Sequence, residues 1–161
     1  MIRFIKIHIL FLLILVLTSC GFKPIYKISE NSLNSATYAI EFQNDPEYLI
    51  KNKILESFSA SPSESLYTIH INATQGSTPL ITNTDGTVSK YRISVTIVFH
   101  ITKPDSESKI YDDTTRGFAE YLVQTSEIET EEKLRQAIEI ATHEAVQMMS
   151  IKIQSNILHT Q

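Results

Sequence analysis

The sequence predicts an α+β domain, a four-stranded and mostly antiparallel sheet backed by two helices, in the order strand, helix, strand, strand, strand, helix. Three observations carry this. Residues 88–102 alternate apolar and polar side chains with one exception, the period of a strand with one buried and one wet face. Residues 128–158 repeat apolar side chains at helical spacing. Once an N-terminal leader is set aside, about 140 residues remain, enough for one core and too few for two.

The domain opens with TYAIEFQ (37–43), which puts Tyr38, Ile40 and Phe42 on one face of a strand. In Asn44-Asp45-Pro46-Glu47, Asp45 is placed to N-cap a helix and Pro46 to fill its first position. That helix repeats Ile50, Ile54 and Phe58 and is expected to end near Ser61-Pro62. LYTIHINA (66–73) then alternates, with Tyr67, Ile69, Ile71 and Ala73 inward and Thr68, His70 and Asn72 outward. TQGSTPLITNTDG (74–86) is rich in turn formers and reads as a loop.

Over 88–102, Tyr91, Ile93, Val95, Ile97, Phe99 and Ile101 share one face. Arg92, Ser94, Thr96 and His100 share the other, where Val98 is the exception. KPDSES (103–108) is a turn into a fourth strand, KIYDDTTRGFAEYLV (109–123), which alternates poorly, so pattern alone specifies its register weakly. The closing helix crowds Glu127, Glu129, Glu131 and Glu132 into its first turns, where the helix dipole favours acids. Its apolar stripe runs Leu134, Ile138, Ala141, Ala145, Met148, Met149, Ile153 and Ile157.

The N-terminus is organised differently. MIRFIK carries Arg3 and Lys6 and no acid, and IHILFLLILVL (7–17) is apolar except for His8. A basic start, an apolar stretch and small residues behind it make a secretory signal. The stretch falls short of the roughly 20 apolar residues of a membrane-spanning helix. Leu17-Thr18-Ser19-Cys20 resembles the bacterial lipobox, which implies that Cys20 is acylated and becomes the first residue of the mature protein. Cys20 is the only cysteine of the chain, so no intramolecular disulfide competes for it.

The expected organisation is therefore a signal peptide at 1–19, a lipidated N-terminus and polar tether at 20–36, and the α+β domain at 37–161. Cleavage removes Arg3 and Lys6, so twelve basic residues face eighteen acidic ones and the net charge moves from −4 to −6. That balance argues against a nucleic-acid partner.

No catalytic constellation is present in the sequence. His70 and His100 fall on the polar faces of neighbouring strands, but two imidazoles are too few for a zinc site, and solvated histidines are the simpler reading. Asp112 and Asp113 are adjacent on a strand and point to opposite faces, so they do not form an acid pair. Ser, His and Asp occur without a nucleophile elbow to organise them. Asn72-Ala73-Thr74 fits a glycosylation acceptor, which means little beside a bacterial lipobox. Met148-Met149 reads as core packing. No metal and no cofactor is expected beyond the covalent lipid on Cys20.

Cys20-Gly21-Phe22-Lys23-Pro24-Ile25-Tyr26 is more specific than a lipobox. It resembles the CGFxPLY opening of the LPS-assembly lipoprotein family LptE, with Ile25 where Leu is usual. A polar stretch ending in Asp85-Gly86, a long alternating strand and an Ala-containing terminal helix are similar to that family in order. The resemblance implies a non-catalytic outer-membrane lipoprotein on the periplasmic face, held by its lipid anchor. Such a protein plugs and helps assemble the LptD β-barrel translocon and assists lipopolysaccharide transport to the outer leaflet. Gly21, rather than an Asp, follows Cys20, which fits the outer membrane.

Other readings are a scaffold lipoprotein of another envelope complex, a free periplasmic lipid-binding module and, least favoured, an envelope hydrolase. Under the barrel-translocon reading, Thr78, Leu80 and Thr84 in the 74–86 stretch are expected to meet the barrel wall. Lys90 and Arg92, two residues apart on one wet face, are expected to meet lipid A phosphates. The plainer alternative is that they neutralise Asp85 and Glu120.

Overall fold

A computed structural model describes residues 38–58, 65–103 and 106–157. The signal peptide, Cys20 with its tether, Ser61-Pro62 and the residues after Ile157 lie outside the described residues. Six elements occur in the expected order: β1 (Tyr38–Phe42), α1 (Tyr48–Ser57), β2 (Tyr67–Thr82), β3 (Val88–Lys103), β4 (Ser106–Leu122) and α2 (Glu127–Ile157). The strands lie side by side as β1-β2-β3-β4. β1 is parallel to β2, because the α1 connection returns the chain before β2 begins. The β2–β3 and β3–β4 pairs are antiparallel. This is the α+β class that the pattern predicts.

One face of the sheet is buried and the other open. Ile69, Ile71 and Ala73 of β2 and Ile93, Val95, Ile97, Phe99 and Ile101 of β3 are at most 2 % exposed. Ile50 and Ile54 of α1, with Phe58 just after it, cover them together with Ala137, Ile138, Ala141, Ala145, Val146, Met149 and Ile153 of α2. Each fully buried Ile or Phe contributes about 1.5–3 kcal/mol, so this single cluster is the main source of stability.

Several sequence expectations are corrected. α1 ends at Ser57 with Phe58 extended, short of the expected end near Ser61-Pro62, and its first residue is Tyr48 rather than Pro46. Asp45 does not cap α1: Glu47 occupies the cap position without a side-chain cap bond, and Asp45 instead accepts from Lys51 Nζ at 3.2 Å. Residues 74–82 are not loop but the second half of β2, and the connection shrinks to a tight turn at 83–87. There Asn83 N–H donates to Thr87 O at 2.7 Å, the Asp85 carboxylate accepts from Thr87 N–H and Oγ1, and Gly86 takes φ +85°, open to glycine without cost. β4 begins at Ser106, inside the expected turn. Met148 points out of the core and is 45 % exposed, while Met149 is fully buried.

The register of β4, which alternation leaves weak, is fixed by a close approach. An ideal Cβ on Gly117 would lie 1.9 Å from the Ala141 carbonyl oxygen and 2.7 Å from the Ala145 amide nitrogen. Only glycine lets α2 lie directly on the strand here, and Ala141 and Ala145 supply the matching shallow face of the helix. α2 also reaches around the strand's free edge. Phe118 N–H donates to Glu144 Oε2 at 2.7 Å, and Lys152 Nζ donates to the Thr114 carbonyl at 3.1 Å.

Candidate functional site at the open sheet face

The side of the sheet away from the helices carries the outward residues of β2, β3 and β4. Polar and charged residues dominate it, and Val98 (50 % exposed), Phe118 (48 %) and Leu122 (54 %) are exposed apolar groups among them. Phe118 lies opposite Ser94, four residues along β3 from Val98, and shares a shallow groove with Arg92 and Glu120. The sequence reading singled out Val98 but not Phe118; the only available signal was an aromatic residue at an outward position of a badly alternating strand.

Toward the β2–β3 turn, Lys90 and Arg92 do sit together, as their spacing requires. Both are turned onto Glu120 across the β3–β4 ladder: Arg92 Nη2 donates to Glu120 Oε1 at 2.8 Å and Lys90 Nζ pairs with Oε2. Hydrogen bonds from Lys90 first and Arg92 second hold the Glu120 carboxyl below its usual range. Two cations on one carboxylate leave one local positive charge in excess. An anionic group arriving here would share or displace Glu120 rather than meet an unpaired basic pair. Asp85, the other acid considered for these cations, is occupied within its own turn by Thr87.

Toward the other end of the sheet, Glu41, His70, His100 and Asp112 stand in one row, each opposite the next across all four strands. The His70 and His100 rings stack with centroids 4.5 Å apart. His70 Nδ1 lies 3.1 Å from Glu41 Oε2, and its Nε2 lies 3.1 Å from Thr102 Oγ1, so both ring nitrogens are engaged. Burial, and then the neighbouring His70, push the pKa of His100 below its ordinary value. Among the described residues no cluster of three or more His, Cys, Asp or Glu side chains is arranged to hold a metal ion.

Asp112 and Asp113 point to opposite faces, as adjacent strand residues must. Asp112 joins the histidine row, while Asp113 accepts from Tyr111 OH at 2.7 Å and pairs with Lys152 of α2 at 2.8 Å.

Thr78 and Leu80 lie in the exposed second half of β2, Thr78 opposite Arg92, and Thr84 lies in the turn. All three are accessible at one end of the molecule. Cys20 lies outside the described residues. Asn44 was not anticipated as a structural residue: its side-chain amide donates to the Ala73 carbonyl at 2.6 Å and accepts from the Ala73 N–H at 3.1 Å. It stands in for one more residue of β1 after that strand has ended.

The sequence matches no protein-family model and no curated protein. Similarity appears at the level of structure. The chain resembles the crystal structure of a candidate lipoprotein from Caulobacter crescentus (TM-score 0.62, 9 % identity, covering 81 % of this chain and 96 % of that one). It also resembles rare lipoprotein B from Shewanella oneidensis (TM-score 0.56, 10 % identity, 77 % and 98 %). A minor lipoprotein from Acinetobacter baumannii is similar too (TM-score 0.56, 14 % identity, 74 % and 91 %). At these identities the likeness shows that the chain has the fold found in this set of bacterial lipoproteins.

Proposed function

We propose that this chain is an outer-membrane lipoprotein, anchored through acylated Cys20 on the periplasmic face. In this reading it sits within an LptD-type β-barrel translocon and assists lipopolysaccharide transport. The observation that carries the reading is the CGFKPIY opening at residues 20–26, joined in one chain to a fold found in bacterial lipoproteins. The open sheet face is compatible with this role, since the lumen of a large barrel is polar and a wet, rigid face can line it. The acyl chains would hold the domain at the inner leaflet, because one chain binds weakly and several bind durably. The turn end, with Thr78, Leu80 and Thr84, would face the barrel wall. The Lys90–Arg92–Glu120 group would offer its excess positive charge to lipid A phosphates.

The test is purification of the lipidated protein from outer membranes, with photo-crosslinkers at Thr78, Leu80 and Thr84. Acyl mass on the Cys20 peptide and crosslinks to one large barrel are expected, and Cys20→Ala should leave an unprocessed, mislocalised precursor. A mature chain beginning elsewhere with Cys20 unmodified would overturn the anchor. Crosslinks to many unrelated proteins, or to none, would favour a free lipid-binding module.

A further inference from the structure

The two edges of this sheet differ. On β4, α2 occupies backbone groups at the free edge through Glu144 and Lys152. On β2, β1 covers Tyr67 to Ile71, Gln43 N–H continues the pairing onto the Ile71 carbonyl at 2.8 Å, and Asn44 takes both backbone groups of Ala73. Among the described residues the cover stops there, although β2 continues to Thr82.

Strand geometry fixes what is left bare. Backbone groups alternate sides along a strand, so the residues that share the outward direction of Ala73 are Gln75, Ser77 and Pro79. Pro79 fits that assignment, since a proline is tolerated where the missing N–H would have faced away from the ladder. Among the described residues, the backbones of Gln75 and Ser77 have no hydrogen-bond partner on this side. Thr74 through Thr82 are all exposed, and none carries a charge. Native edges are usually blunted by charged side chains, by proline or by a covering element; among the described residues this stretch has no charge and no cover, and its proline, Pro79, stands at the far end.

We infer that the β2 edge from Gln75 to Pro79 is a strand-addition site, and that its occupant is an extended segment of the barrel partner, laid collinear with β1 where β1 ends. The inference rests on the reading above. Two N–H donors and three carbonyl acceptors in a row, without charged side chains, match the backbone of an extended polypeptide and offer little to a lipid headgroup. A closed barrel wall has no free edge to give, so the segment is a loop or terminal stretch of the partner outside its closed ladder. The missing N–H of Pro79 and the register shifts between Pro79 and Thr82 end the pairing there.

The test is amide hydrogen exchange on the full lipidated chain in detergent, alone and in complex with the LptD-type barrel encoded by the same genome. Alone, the Gln75 and Ser77 amides should exchange quickly, while those of Gly76 and Thr78, which face β3, are protected. In the complex the Gln75 and Ser77 amides should slow by at least about tenfold. Ser77→Pro removes one outward donor and leaves the β2–β3 ladder intact, so it should weaken the complex about tenfold, whereas Ser77→Ala should bind like the parent. A complex in which both amides still exchange quickly overturns this inference alone. So does a folded Ser77→Pro chain that binds normally, or protection without the barrel accompanied by a concentration-dependent mass, which would make a second copy the occupant. Failure to form any complex overturns the proposed function as well. The exchange measurement needs no variant, so a misfolded Ser77→Pro chain leaves it decisive.

Discussion

His70 and His100 stack across the β2–β3 ladder, ring centroids 4.5 Å apart and planes 11° from parallel, between the carboxylates of Glu41 and Asp112 on the outer strands. Two imidazoles in van der Waals contact are compatible when at least one is neutral. The second proton meets the first, and Lys109 adds to the repulsion while the two acids partly offset it.

The pH prediction follows from that contact. Folding lowers the pKa of His100 from 6.5, chiefly by burial, so between its folded and unfolded values the unfolded chain binds more protons. Stability should therefore be complete above the unfolded value and fall as pH drops through 6.5 toward the folded value. Urea unfolding midpoints between about pH 7.5 and about pH 5.5 should decline for the parent and decline less for His100→Gln. An equal decline in both would remove His100 from the account.

Gly117→Ala should destabilise by about 1–3 kcal/mol and Gly117→Val by more, read as a drop in thermal midpoint. The nearest atoms to the added Cβ are the backbone oxygen of Ala141 and the backbone nitrogen of Ala145. Trimming the helix side chain therefore cannot make room, and Ala141→Gly should fail to rescue Gly117→Ala. Rescue would mean that the side chain, not the helix backbone, sets the contact.

Asp113 ties β4 to α2. Hydrogen bonds from Lys152 and then Tyr111 lower its carboxyl to about 2, and burial, with the Asp113 bond, pushes the Tyr111 phenol up to about 12. The stabilisation is present above the unfolded value of 3.8 and is lost as pH falls through about 2. Asp113→Asn should cost about 1 kcal/mol at neutral pH and flatten the acid limb of the stability profile. An unchanged acid limb would place the coupling elsewhere.

Glu120 competes with any anion for Lys90 and Arg92. Glu120→Gln should raise the affinity of the full chain for lipopolysaccharide several-fold at low salt, and Lys90→Asp with Arg92→Asp should abolish it while circular dichroism stays native. A folded double variant that binds like the parent would take this group out of the proposed role.

The buried halves of the sheet were legible because burial writes a period into the sequence: Ile69, Ile71 and Ala73 on β2 and Tyr91 to Ile101 on β3 alternate since one side of each meets the helices. The second half of β2 was not, because neither of its faces is buried from Thr74 on, and Gly76 and Pro79 then dominate the pattern. β4 hid its inward face behind Asp113, Thr115 and Gly117, whose placement depends on contacts from α2 rather than on hydrophobicity. Met148 and Met149 cannot both face inward on one helix, and composition alone does not say which does. At the candidate site, the pairing of Lys90 and Arg92 was visible from spacing. That both engage Glu120, and not Asp85, follows only from the β3–β4 register.

The terminal helix has a consequence for the order of events in making the protein. Among the described residues α2 follows every strand, yet it covers the core face of β3 and β4, fills the space that Gly117 leaves, and occupies backbone groups at the β4 edge. A polypeptide emerging N-terminus first from a ribosome or a translocation channel presents all four strands before the segment that closes them. The intermediate would be a sheet covered by α1 alone, with the core face and free edge of β4 bare, the kind of species that sticks to its neighbours. Export of the chain unfolded and in one pass, with folding postponed until residue 157 is through, avoids that intermediate. A stop codon ahead of the helix should accordingly give insoluble protein rather than a smaller domain.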